Sequence, residues 1–210
     1  MRTARPMRVL VRCRSRVSLH RLVPAFPMSI TATKGEQTLT RRGFTRPLRE
    51  GQTVGIPAFE SVDLQLTGGI FCPSECTLSL ADSRSVSSQE LSAFATGGAG
   101  AKVQHLRELI SGTVFQNPQE AWNAKVMATT LQTTPNKIRA VLFTQGAAFT
   151  QLCRTQRLMR ALFDSFLFDL SVADLRQRVG WGDGKDLEAS FLDWFGVSLD
   201  TVARLREGGL

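Results

Sequence analysis

Residues 131–146, Leu-Gln-Thr-Thr-Pro-Asn-Lys-Ile-Arg-Ala-Val-Leu-Phe-Thr-Gln-Gly, constrain the fold of this chain more than any other stretch. They read as the turn and second helix of a helix-turn-helix. Thr134 is an N-cap whose hydroxyl can accept from a free backbone N–H of the first turn. Pro135 follows at the first helical position, where its missing N–H costs nothing. Ile138, Val141 and Leu142 form a buried stripe at helical spacing. Asn136, Arg139, Ala140 and Phe143 form the opposite, exposed stripe. Gly146 is a stop, because glycine accepts the left-handed conformation at a helix end. The preceding residues 123–131 make a short helix with Met127, Ala128 and Leu131 inward. Taken alone, such a pair also fits an ordinary hairpin of helices in a core.

The pattern returns about fifty residues later. Between the copies lies one long amphipathic stretch, 148–168, with Phe149, Leu152, Leu158, Leu162 and Phe166 inward. Ser171 and Asp174 have the spacing of a capping box with Asp in the Glu position. Residues 171–180 read as a short helix ending in a glycine turn, residues 181–196 as a turn and second helix with Leu187 and Phe191 buried. Residues 197–204 read as a capped last helix.

The net charge of +8 is unevenly spread. Residues 1–27 carry seven arginines and no acid, and residues 28–104 are neutral. Residues 121–160 carry Lys125, Lys137, Arg139, Arg154, Arg157 and Arg160 without an acid, and residues 161–210 sum to −4. The positive patch coincides with the first helix pair and the helix after it, an electrostatic pattern that suits nucleic acid.

The rest of the chain is less informative. Residues 1–27, rich in arginine and proline, read as a disordered basic leader or as sequence upstream of a true start at Met28. Residues 28–100 read as a small β-rich region with strands at 53–57, 62–66 and 76–80 and a short helix at 85–96. The glycines at 97–100 read as a flexible joint. From Lys102 on, Val103, Leu106, Leu109 and Ile110 mark a helix ended by Gly112, and Asn117-Pro118 starts another, with Trp122 as anchor. The four cysteines have no histidine near them, so no metal site is expected. No histidine–carboxylate–nucleophile set or phosphate loop points to an enzyme. No apolar run is long enough to span a membrane.

Across 122–204 the chain resembles the DNA-binding domain of the AraC-type transcription regulators. The resemblance rests on Met127-Ala128, Leu131, Thr134-Pro135, Ile138, Leu142 and Gly146, then on Phe149, Leu152, Arg157 and Ala161 in the linking helix. Val172, Leu175, Val179-Gly180-Trp181, Leu187, Phe191, Phe195-Gly196-Val197-Ser198 and Val202 carry it through the second unit. It implies two homeodomain-like helix-turn-helix subdomains, each with a recognition helix in the major groove. Asn136, Arg139 and Ala140 match the base-reading positions of the first unit, Gly184, Lys185, Glu188 and Ala189 those of the second. Several positions depart from the family pattern. Ala189 stands where an arginine is usual, Phe143 at a commonly basic site, Arg176 at a small one, and Leu199 at a proline. Asp183, Asp186, Glu188 and Asp193 crowd the second unit with negative charge.

The expected architecture is therefore mainly α. A double helix-turn-helix domain over 101–210 follows a small β-rich region, 28–100, read as a shortened cupin-like domain. The expected function is sequence-specific DNA binding in transcription regulation, with the helix at 135–145 as main reader. The expected DNA-binding residues are Asn136, Lys137, Arg139, Ala140, Lys125, Arg154, Arg157 and Lys185, with no cofactor. Double-stranded DNA is the expected partner, with RNA polymerase and a second copy through the N-terminal region as further ones, in the cytoplasm at the nucleoid. The alternative is a degenerate member that acts as a protein-interaction module on another regulator or on RNA polymerase.

Overall fold

The computed structural model describes residues 7–81, 106–182 and 184–206. Its N-terminal half is built from eight strands: β1 (Arg8–Cys13), β2 (Arg16–Leu22), β3 (Met28–Lys34), β4 (Glu36–Arg41), β5 (Phe44–Leu48), β6 (Thr53–Ile56), β7 (Val62–Thr67) and β8 (Ser74–Leu80). They form two four-stranded antiparallel sheets, ordered β1-β8-β3-β6 and β2-β7-β4-β5. Every second residue faces inward, as the period of a strand requires: Val9, Val11 and Cys13 on β1, Met28, Ile30 and Ala32 on β3, Val62, Leu64 and Leu66 on β7. Gln37 of β4 is buried between the sheets and donates to Ser74 Oγ on β8 at 2.8 Å.

This overturns the mainly α expectation. Of the described residues 39% are helix and 28% strand, and the N-terminal part is a substantial β domain rather than a small, shortened one. The reason lies in residues 8–22, which supply one strand to each sheet where a disordered leader was expected. Their arginines alternate with Val9, Val11, Val17 and Leu19, so the charge sits on the outer faces and the apolar residues fill the core. The strands expected at 53–57, 62–66 and 76–80 are β6, β7 and β8. The helix expected at 85–96 and the joint at 97–100 lie outside the described residues.

The C-terminal half is helical among the described residues: α1 (Leu106–Gln116), α2 (Ala124–Thr130), α3 (Pro135–Thr144), α4 (Phe149–Leu167), α5 (Val172–Arg178), α6 (Leu187–Phe195) and α7 (Leu199–Arg204). Helix α1 runs through Gly112, which is buried against its neighbours instead of ending the helix. The next helix begins at Ala124 and not at Asn117-Pro118; Asn123 Oδ1 caps it by accepting from the N–H groups of Lys125 and Val126, both at 2.9 Å. Thr134, Ser171, Asp186 and Ser198 cap α3, α5, α6 and α7 through their side chains.

Two hydrophobic clusters divide the molecule. One gathers α1, α2, α3 and the start of α4, with Ile110, Met127, Ile138, Leu142 and Phe149 at its centre. The other joins both sheets to the end of α4 and to α5, α6 and α7, through residues such as Leu64, Leu78, Phe163, Phe191 and Val202. Helix α4 is the strut between them. Its Asp164 is fully buried and accepts from Arg160 at 3.0 Å and from Arg178 of α5 at 2.9 Å.

Candidate nucleic-acid interface

The pair α2–α3 is held by its own small core, which leaves one side of α3 to solvent. Ile138 and Leu142 are buried, while Asn136, Lys137, Arg139, Ala140 and Phe143 are exposed. The N-cap fixes the start of α3: Thr134 Oγ1 accepts from Lys137 N at 3.3 Å. Arg139 Nη1 donates to Asn136 Oδ1 at 3.2 Å, so these two polar groups already lie side by side on the exposed stripe.

Beside this stripe runs a groove of about 520 Å³ between α2–α3, α4 and the turn before α6. Arg139, Arg154, Arg157 and Lys185 line it, on walls that include Trp122, Phe149 and Trp181, and no acid does so among the described residues. Asn136 and Lys125 meet Arg139 in a second, adjoining hollow at the N-terminal ends of α2 and α3. The structure thus brings Arg139, Arg154, Arg157 and Lys185 together in one place and sets Asn136 and Lys125 next to it. Lys137 and Ala140 line neither hollow and stand exposed on α3.

Two of these arginines have structural settings that sequence did not disclose. Arg157 donates through Nε to Pro118 O at 3.0 Å and through Nη2 to Glu120 O at 2.7 Å, which pins the turn between α1 and α2. Trp122 Nε1 donates to Asn117 O at 2.6 Å in the same turn. Gly180, at φ +60°, closes on it from the second unit, where a Cβ would lie 2.4 Å from Pro118 O. The turn at 117–120 is therefore held both by α4, through Arg157, and by Gly180 of the second unit. Arg154 Nε, by contrast, is buried in the groove wall without a hydrogen-bond partner among the described residues. Cys153 shares that wall; burial pushes its thiol up to about 11, so it stays neutral and unreactive near neutral pH.

The pair α5–α6 is placed differently. Asp186 Oδ1 accepts from the N–H groups of Glu188 at 2.8 Å and Ala189 at 3.3 Å, so its charge serves the start of α6. Trp181 Nε1 donates to Lys185 O at 3.1 Å and holds the preceding turn. Gly184, Lys185, Glu188 and Ala189 are exposed. The far end of α6 is clamped to β2. A bulge between Leu19 and Leu22, with Arg21 at φ +50°, turns Arg21 toward the helix. Its guanidinium lies 5.3 Å from the Trp194 ring centroid and donates to Asp193 O at 3.0 Å. Trp194 Nε1 returns a bond to Arg21 O at 3.2 Å.

Solved structures share this fold over nearly the whole chain. Unsaturated-fatty-acid-bound ToxT from Vibrio cholerae strain SCE256 superposes over 99% of each chain with a TM-score of 0.66, at 10% identity. ToxT from Vibrio cholerae O395 covers 98% of this chain and 99% of its own, with a TM-score of 0.66 and 11% identity. ToxT is an AraC-family regulator. The chain has the AraC-type fold. At these identities the likeness is one of fold. No family model matches the sequence, and no curated protein does. No described helix is long and apolar enough to cross a membrane.

Proposed function

We propose that this chain is a sequence-specific, DNA-binding transcription regulator whose main reading helix is α3. The observation that carries this reading is the convergence of Arg139, Arg154, Arg157 and Lys185 on one groove, lined by no acid among the described residues, beside the exposed Asn136 and Lys125. Arg139 suits a bidentate pair with guanine and Asn136 a pair with adenine, both in the major groove. Lys125, Lys137 and Arg154 suit phosphate oxygens, which position a protein without reading sequence. Arg157 sets the angle between the helix pairs through the 117–120 turn and offers its remaining edge to the backbone. Lys185 lies at the margin of the second pair, between acids at 183 and 186. The reading is non-enzymatic. On it the chain acts on nucleoid DNA in the cytoplasm, and RNA polymerase and a second copy through the sheets are the further partners to test.

The interaction-module alternative draws on the negative charge of the second pair. Its weight falls with Asp186, whose carboxylate is spent on the α6 cap. The deciding experiment is fluorescence anisotropy of the full chain on a duplex taken from upstream of its own coding region, over a salt series. The affinity should fall steeply with salt, and loss of Lys125 or Arg154 should flatten the slope by about one unit each. Salt-independent or absent binding, with capture of a protein partner instead, would favour the module.

A further inference from the structure

The exposed stripe of α3 changes character along its length. Its first half is polar, with Asn136 and Arg139, and its second half is apolar, with Ala140 and Phe143. Phe143 is 82% exposed, and among the described residues no ring or cation stacks on it. A single exposed apolar side chain is common on protein surfaces; what sets Phe143 apart is its place on the stripe of α3 that also carries Asn136 and Arg139. A phenyl ring cannot pair with phosphate, so at this position α3 offers the DNA only an apolar contact.

We propose that Phe143 reads a thymine through its 5-methyl group, in the same major-groove segment that Arg139 reads. This rests on the assignment of α3 as reading helix. Thymine is the base that presents an apolar group in the major groove, and phenylalanine is among the side chains that pack on it. The four residues from Arg139 to Phe143 span about 6 Å of helix. With base pairs about 3.4 Å apart, the thymine lies about two base pairs from the guanine that Arg139 contacts. The surroundings favour DNA over an apolar protein pocket as the occupant. Phe143 sits within residues 121–160, which carry six basic side chains and no acid, and a polyanion complements that charge.

The test uses the full chain and a duplex it selects from a random pool. Each thymine is replaced singly by deoxyuridine, which removes the methyl and nothing else. One position, about two base pairs from the Arg139-dependent guanine, should lose about fourfold in affinity, the worth of one buried methyl. In Phe143→Ala the two bases should bind equally there, while the guanine preference and the salt slope persist. Phe143→Leu should keep part of the discrimination. Wild-type indifference to deoxyuridine at every position, or a Phe143→Ala variant that still discriminates, overturns the proposal and leaves α3 as reading helix intact. That assignment fails separately, and the proposal with it, if Arg139→Ala changes no base preference or no duplex is selected.

Discussion

The two helix pairs share a plan and differ in what lies beneath them. The first, α2–α3, closes a cluster made only of helices, and no strand residue contributes to it among the described residues. The second, α5–α6, is one wall of the core that also fills the sheets. The first pair keeps its exposed face acid-free and convergent with the groove. The second spends its surface on a clamp to β2, through Arg21, Trp194 and the close approach of Gly196 to His20. A helix pair with its own core can meet DNA without disturbing the rest of the chain. A pair that shares its core with a β domain moves only when that domain does. On the function proposed above, the first pair is the reader and the second the mechanical coupling to the sheets.

The comparison can be broken most forcefully at the N-terminus. Deletion of residues 1–27 should abolish folding, because it removes Val9, Val11, Cys13, Val17, Leu19 and Leu22 from the shared core. Each buried aliphatic side chain is worth roughly 1.5–3 kcal/mol, and together they match the roughly 5–15 kcal/mol of a whole domain. Circular dichroism and a thermal melt of the shortened chain check this. Survival of a cooperative melt would mean that β1 and β2 are dispensable and that the core is less unified than its packing.

Cavities in the two pairs should then behave differently. Phe191→Ala should cost about 3–5 kcal/mol and Leu142→Ala about 2–5 kcal/mol. Hydrogen exchange separates them. The Phe191 lesion should raise exchange in β2 and β7 as well as in α6, whereas the Leu142 lesion should stay within α1, α2, α3 and the start of α4. Spread of the second into the sheets would erase the distinction.

Between the pairs, Gly180→Ala should cost about 1–3 kcal/mol, since its Cβ must displace the Pro118 carbonyl from a backbone at positive φ. DNA affinity should fall with it although no DNA-facing side chain has changed. The smallest effect belongs to the clamp. Arg21→Ala removes an exposed cation–π contact worth about 0.5–1 kcal/mol together with the exposed bond to Asp193 O, and the melt should shift only slightly.

Much of the helical half was legible because its signals are local. Thr134-Pro135, Ser171 with Asp174, and the stripe of Ile138 and Leu142 each depend on neighbours within a turn or two, and the helices begin and end close to where these residues place them. The β half was not, because strand pairing is non-local. In residues 8–22 the arginines masked an alternation that was present, and β1 pairs with β8, 61 to 71 residues away. The site divides in the same way. The exposed stripe of α3 follows from its period, but the joining of Arg139 to Lys185 across a groove depends on the packing of the 117–120 turn against Gly180 and Arg157. The tryptophan at 181 was visible as a motif residue; its bond to Lys185 O was not.

The central claim, that α3 reads and α6 does not, is tested most directly by a footprint on a selected duplex with wild-type, Arg139→Ala and Lys185→Ala chains. The account predicts strong protection of one major-groove segment and weak protection of the next. Arg139→Ala should cost about 1–3 kcal/mol and relax one base position in the strong segment, and Lys185→Ala should leave base preferences unchanged. Equal protection of both segments, with preferences lost in Lys185→Ala and kept in Arg139→Ala, would contradict it.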